Sequence, residues 1–519
     1  MPAKRRVAKT VSLPAPIGGW NVRDPLPMMK PEYAPILDNV FCLPSEIMIR
    51  KGYTKHATFT GTAETLFDYS AKTGGETLYA AVNNAGACAI YDVSSAGAVG
   101  AAKVSGLTNA RFKHAQFSTS GGTFLYLVNG ADNAILYDGS TWQSVTGVSA
   151  PYAITGVNTN TFSDVVSHKR RLWFVQKNSL SCWYLPTDSL GGAAVQFDFA
   201  PLFKMGGYIT KIDTWSLDAG QGLDDYFLVF TSQGEVAVYR GTDPATASTW
   251  SLTGVFNIGS PTSLGYTCKY GGDLLIINKD GIAQMSKSLM SSRVNTKLQL
   301  TDKIQPQLAS DTSNYANNHG WQILLYFPQN MLLVNIPAGN GVYYQYVMNT
   351  ISGAWSRWTG LPAVSWLMSG ERLWFGANGY TAEAWVGQAD DGANVVADIL
   401  PAYYNFGSES QLKRWTLSRI IFGSSGAVSF GSRMEIDFNK NPTEVTVPFS
   451  FDPGTTGAVY GTGVYGTAVY GDESVTIRRE WKTTTGIGYW GSLHMKFQTK
   501  TADIRLYAVD VMVESGGNI

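Results

Sequence analysis

The chain is poor in the residues that carry most chemistry. Only four cysteines occur in 519 residues, Cys42, Cys88, Cys182 and Cys268, each in its own stretch and with no Cys-x-x-Cys pair. That spacing excludes a zinc ribbon and a compact disulfide framework, and it points to free thiols in a reducing compartment. The five histidines, His56, His114, His168, His319 and His494, are equally scattered, with no His-Glu-x-x-His. There is no Gly-x-Ser-x-Gly elbow and no Walker loop. Asp390-Asp391-Gly392 lacks the alternating oxygen ligands of a calcium loop. The expectation is a protein without catalytic residues, metal ligands, cofactor or small-molecule substrate.

Charge is scarce as well. Charged residues make up 15% of the chain, and 39 Lys+Arg balance 39 Asp+Glu, so bulk charge gives no grip on nucleic acid or an anionic membrane. No apolar stretch approaches the roughly 20 residues that span a bilayer. The basic start, Lys4-Arg5-Arg6 and Lys9, runs into Pro14, Pro16 and Gly18-Gly19 instead of an apolar core, so it does not read as a secretory signal. It reads as a solvated tail or as a cationic arm that orders on a partner. A soluble protein kept in the cytoplasm until lysis is expected.

What is abundant is glycine (55), tyrosine (27) and tryptophan (15), the composition of a glycine-jointed, aromatic-packed β protein. Seven apolar runs centred on Leu78, Leu125, Leu172, Phe227, Leu274, Leu324 and Leu373 recur at intervals of 47, 47, 55, 47, 50 and 49 residues. Each precedes a polar turn and a second apolar run, as in Phe124–Val128, Asn129–Asn133, Ala134–Gly139. Hairpins repeating every 40 to 50 residues are the sign of a β-propeller, because no single hairpin buries its own apolar face. The predicted fold is all-β. An extended arm (1–55) is followed by a propeller of six or seven blades (56–395) and an antiparallel β-sandwich (396–519). The propeller carries a polar insertion at 286–318, where Asp302 is a predicted N-cap of one short helical turn shaped by Pro306.

Several segments could carry contacts. Tyr137-Asp138-Gly139-Ser140-Thr141-Trp142 ends like the Asp-box turn of sialidase-type propellers, but its Asp falls one residue late, and a plain turn with Trp142 packed between blades accounts for it. Lys169-Arg170-Arg171 precedes an aromatic strand, as Arg372 does in a later repeat. Such cations meet DNA phosphates or guard a strand edge. Tyr460, Tyr465 and Tyr470 stand five residues apart in an uncharged Gly-rich stretch, a period that fits neither strand nor helix. That loop is a candidate gate, a docking surface, or simply flexible. The proline-spaced arm cannot join a central sheet, and its apolar residues need a surface to cover. Trp20, Asn21, Met28, Met29, Asp38 and Asn39 are therefore candidate contacts to a neighbouring subunit or ring.

The arm also carries a resemblance. Ile17-Gly18-Gly19-Trp20-Asn21, Met28-Met29-Lys30-Pro31-Glu32-Tyr33-Ala34, Leu37-Asp38-Asn39-Val40-Phe41 and Ile49-Arg50-Lys51-Gly52-Tyr53 resemble the opening of tail-nozzle (tail hub) and packaged-DNA-stabilisation proteins of short-tailed phages. The repeated hairpins and the C-terminal strands ending in Tyr507–Val511 are similar too. The resemblance implies a non-enzymatic virion protein. Six copies would form a tube below the portal and adaptor rings, hold packaged double-stranded DNA without sequence specificity, and offer sites to fibres or spikes. A glycan-binding or sialidase-like propeller and a host scaffold propeller are the competing readings; absent Asp-boxes and secretion signal weigh against the first. Absent Trp-Asp and Gly-His signatures weigh against the second.

Overall fold

The computed structural model describes residues 8–72, 74–216, 225–260, 267–278, 281–290, 300–439, 442, 444–451, 476–478 and 480–515. The protein is all-β, with its strands in a propeller-like arrangement. Four sheets of the repeat stand alone. In the Leu125 sheet, Lys113–Thr119, Gly122–Val128, Ile135–Tyr137 and Trp142–Ser144 pair in order. The Leu172 sheet (Phe162–His168 to Val195–Asp198) and the Phe227 sheet (Ile209–Ser216 to Trp250–Asn257) repeat that meander, and the Leu274 sheet has three strands between Thr267 and Gln284.

Four separate sheets are fewer than the six or seven blades expected, and the reason is fusion. The strand Tyr53–Ser70 is 18 residues long. Its first half pairs with Asn378–Ala384 at the end of the repeat, and its second half with Glu76–Asn84 at the beginning. Ile36–Asp38 touches Trp355–Trp358 on one side and Ala393–Leu400 on the other. The Leu78, Leu324 and Leu373 strands thereby belong to one 18-stranded sheet. The sixth repeat centre is also displaced. Leu324 lies on the first strand of its sheet, whereas Leu125, Leu172 and Phe227 lie on second strands, because the preceding insertion shifts the spacing. Within that insertion the helix Gln305–Tyr315 is longer than the single turn expected. Its N-cap is Ile304, and Pro306 sits in the first turn, where a missing N–H costs nothing. Asp302 pairs with Arg23 instead.

Two sheets share the C-terminal strands. One contains Lys413–Ser424 beside Ile504–Ser515; the other contains Val428–Ile436, Gly491–Thr499 and Ala393–Leu400. They meet through Phe422, whose ring centroid lies 5.5 Å from Phe430 and 5.4 Å from Phe497. These sheets are not made of C-terminal residues alone. Ala8–Pro14 pairs along Ala508–Glu514, and the hairpin Val40–Cys42 and Ile47–Ile49 joins at Arg505-Leu506. Edge placement explains how the proline-rich arm enters a sheet, since Pro14 occupies the last pair of its strand. One apolar core therefore contains Trp20, Leu37 and Val40 of the arm, Val334, Met348 and Trp355 of the Leu324 sheet, and Val509, Val511 and Val513 near the C-terminus.

Candidate functional site: the arm joint and the axial channel

The arm residues expected to reach a neighbour are mostly buried in their own chain. Trp20, Asn21, Met29 and Asn39 are all buried. Asn21 holds a turn, its Oδ1 accepting the N–H groups of Arg23 and Asp24 at 3.1 Å and its Nδ2 donating to Asp24 at 2.8 Å. Asp38 accepts a bidentate pair from Arg357 at 2.8 and 2.6 Å, and the guanidinium lies over the Trp20 ring. Burial pushes the Asp38 carboxyl up despite that partner. Asn39 adopts a positive φ of 56°, and its amide joins Arg50, Thr359 and Val396. Only Met28 of this set is open, at 79% exposure. Intrachain docking satisfied the apolar demand that had suggested an external surface.

Arg50 is the centre of this joint. It is 1% exposed, and each of its five N–H donors has an acceptor: Asn39 Oδ1 at 2.9 Å, the two Asp390 oxygens at 2.7 and 2.6 Å, and the carbonyls of Lys51 and Thr359. The motif glycines are equally determined. A Cβ on Gly52 would stand 1.8 Å from the Ala389 carbonyl oxygen, and Gly19, at φ +92°, would place one 2.7 Å from the Trp355 amide nitrogen.

The basic turn is neutralised in place. Lys169 pairs with Asp225 at 2.8 Å, Arg170 with Asp188, and Arg171 with Asp243 at 3.1 Å, so none offers an uncompensated charge to phosphate. The Asp138 turn is a plain turn. Its carboxylate accepts the N–H groups of Ser140 and Thr141 at 2.8 and 2.6 Å, while Trp142 stacks on Tyr137 and packs edge-on to Tyr79 of the preceding sheet. Tyr460, Tyr465 and Tyr470 lie outside the described residues, as do Lys4, Arg5 and Arg6.

A second polar region lies on the axis of the ring. A cavity of about 330 Å³ is walled by Glu64–Leu66, Arg111–His114, Asp164–Val166, Lys211–Asp213, Thr267, His319–Ile323 and Val364–Trp366. Those segments lie on, or run into, the first strands of seven successive hairpin units. Their polar side chains tie neighbour to neighbour: Thr65 Oγ1 donates to the Ala110 carbonyl, Asp164 accepts the Ile212 N–H, Asp213 accepts from Thr267, and Ser365 donates to the Ala63 carbonyl. Glu64 pairs with Arg111 at 3.2 Å. Burial, with the nearby ammonium of Lys211, lowers Lys113 to about 8. His114 falls to about 4 through burial and the charge of Lys113. Burial raises the Asp164 carboxyl. None of these channel residues was singled out from sequence. Their signal was a charged residue inside an alternating strand just ahead of the repeat hairpin, as in Lys211-Ile212-Asp213.

Among the described residues no cluster of three or more His, Cys, Asp or Glu side chains could hold a metal ion. No helix among them is long and apolar enough to cross a membrane.

No family model matches the chain, and no curated protein matches it. Solved structures with some similarity include BBS1N in complex with ARL6DN, soaked with mercury. It has 10% identity and a TM-score of 0.41, covering 66% of this chain and 99% of that one. The β-propeller domain of Myceliophteria thermophila Cps50 (Swd1) has 12% identity and a TM-score of 0.39, covering 65% and 99%. YCF48 bound to D1 peptide has 10% identity and a TM-score of 0.35, covering 66% and 96%. The propeller-like description of this chain rests on its own strand pairing.

Proposed function

We propose that the chain is a non-enzymatic structural protein of a virion tail, of the tail-nozzle class, made of a seven-bladed propeller and a β-sandwich completed by its own arm. In this reading six copies form a tube below the portal and adaptor rings, retain packaged DNA and conduct it at ejection, while fibres or spikes dock outside. Seven first strands around one axis support counting the three fused sheets as blades.

The observation that carries the reading is where the resembling residues sit. Gly19, Trp20 and Asn21, then Asp38 and Asn39, then Arg50 and Gly52, form one joint between arm, ring and C-terminal sheets. A motif without chemistry is what such a joint requires, so the resemblance is one of architecture. The DNA path in this reading lies between copies. The cavity of about 330 Å³ is a local space between seven segments and far too small to enclose a duplex, whose major groove alone is about 12 Å wide. Zero net charge suits a conduit, because each neutralised phosphate strengthens binding steeply at moderate salt.

The test is the mass of the purified full chain together with images of its particles, alone and mixed with portal and adaptor rings. Six-fold rings with a through-hole are expected, and no turnover of sialosides. A monomer that joins no ring and hydrolyses a sialoside, with loss of turnover on Asp138→Asn, would overturn the proposal in favour of the glycan reading.

A further inference from the structure

The axial cavity has an imbalance that the arm joint lacks. Six charged side chains line it: Glu64, Arg111, Lys113, Asp164, Lys211 and Asp213. Four of them are engaged. Glu64 and Arg111 hold each other, Asp164 accepts the N–H groups of Val165 and Ile212 at 3.0 Å, and Asp213 accepts the Thr214 N–H at 2.8 Å and the Thr267 hydroxyl at 2.6 Å. The ammonium groups of Lys113 and Lys211 have neither a side-chain hydrogen bond nor an ion pair to any described residue, and the charges of Asp164 and Asp213 favour that of Lys113 only across space. Each ammonium brings three donors into a wall where the carboxylates are already tied to neighbouring strands.

We propose that the axial channel is a binding site for one small inorganic oxyanion, of the phosphate or sulfate class, held between Lys113 and Lys211. An oxyanion supplies the acceptors that both ammonium groups lack and cancels the repulsion between them. The lowered affinity of Lys113 for its proton is the expected sign of an ammonium without an acceptor beside a like charge. The volume suits the ligand. A cavity of about 330 Å³ is many times the roughly 10–15 Å³ that admits one water, so an oxyanion with part of its hydration shell fits. His114 and His319 face the same space. Burial lowers the proton affinity of both, so they act as neutral walls near pH 7. The site is independent of the assembly reading, since it lies inside one ring.

The experiment uses the full chain. Thermal unfolding and ³¹P line-broadening are followed with sodium phosphate against sodium chloride at matched ionic strength, with a mononucleotide as a second phosphate source. The expected result is a saturable rise in melting temperature with phosphate and sulfate, little response to the bulkier mononucleotide, and at least tenfold weaker binding in Lys211→Met and in Lys113→Met. The phosphate response should also fade as pH rises above about 8, where Lys113 loses its proton. If a Met variant fails to fold, Lys113→Arg and Lys211→Arg keep the charge and should keep the response. Identical effects of phosphate and chloride, or undiminished binding by folded Met variants, would overturn the proposal. So would a stronger response to the mononucleotide than to inorganic phosphate.

Discussion

The arm joint and the axial channel are both polar and both built where several strands converge, yet one is complete and the other is not. Around Arg50 every donor meets an acceptor from the chain itself. Around Lys113 and Lys211 the donors meet none among the described residues. A closed polar network specifies one arrangement of strands and gains nothing from a ligand. An open one is tolerated where something from solution completes it. The difference separates a structural joint from a candidate site without any appeal to the sign of the charges, since both regions combine cationic side chains with carboxylates.

The strongest test of this contrast is Arg50→Ala. Removing one partner from a buried, hydrogen-bonded pair leaves Asp390 and Asn39 uncompensated, and a loss of about 3–5 kcal/mol is expected in denaturant unfolding of the full chain. Arg50→Lys should recover less than half of it, because an ammonium cannot reproduce the planar fork. A loss below about 1 kcal/mol would show that the joint is not a closed unit. In chloride, Lys113→Met should act in the opposite direction. Deleting an ammonium that has no acceptor should stabilise the fold by about 1 kcal/mol, where the same change in a closed network would destabilise it.

Acid should reach the channel through His114. The unfolded chain binds a proton there below about pH 6.5, whereas the folded chain resists it down to about 4. Protonation therefore favours unfolding, and stability contributed by this site falls as pH drops through that window. His114→Gln should flatten the stability–pH curve between those limits relative to the parent, which separates its share from that of His168, lowered by burial to about 4 as well. The smallest effect belongs to the surface. Arg170 is exposed and paired with Asp188, so Arg170→Ala should change stability by no more than about 0.5 kcal/mol and leave any DNA retention unchanged. Loss of retention would restore the basic turn as a DNA contact.

Much of the fold could be read from the chain because hairpin signals are local. The apolar runs at Phe124–Val128, Phe227 and Leu274 lie in strands where alternation and turn residues place them, and Tyr507–Val511 lies in the strand Ile504–Ser515. What was not legible is long-range. Nothing near Tyr53 announces that a single strand serves two sheets, and nothing near Pro14 announces pairing with Ala508. The arm was read as reaching a neighbouring subunit or ring, because proline spacing excludes a central strand but says nothing about an edge. The channel residues were missed for a related reason. Lys113, Asp164 and Lys211 acquire meaning only when separate sheets are closed around one axis, and within any one strand each reads as an ordinary solvent-facing charge.

The pairing of Ala8–Pro14 with Ala508–Glu514 sets a timetable for synthesis. Ala8–Pro14 leaves the ribosome long before the strand it pairs with. At about 5–20 residues per second, the intervening chain of roughly 500 residues takes on the order of half a minute or more to appear. Ring closure waits in the same way, because Tyr53 must meet Ala384. Until then the nascent protein carries an unpaired strand edge and a groove of exposed Trp, Leu and Val, the two features that recruit other chains. Contacts this distant in sequence make folding slow, and they make Ala508–Glu514 a checkpoint: a chain truncated just before Ala508 can still join Tyr53 to Ala384, but it leaves Ala8–Pro14 without its partner strand.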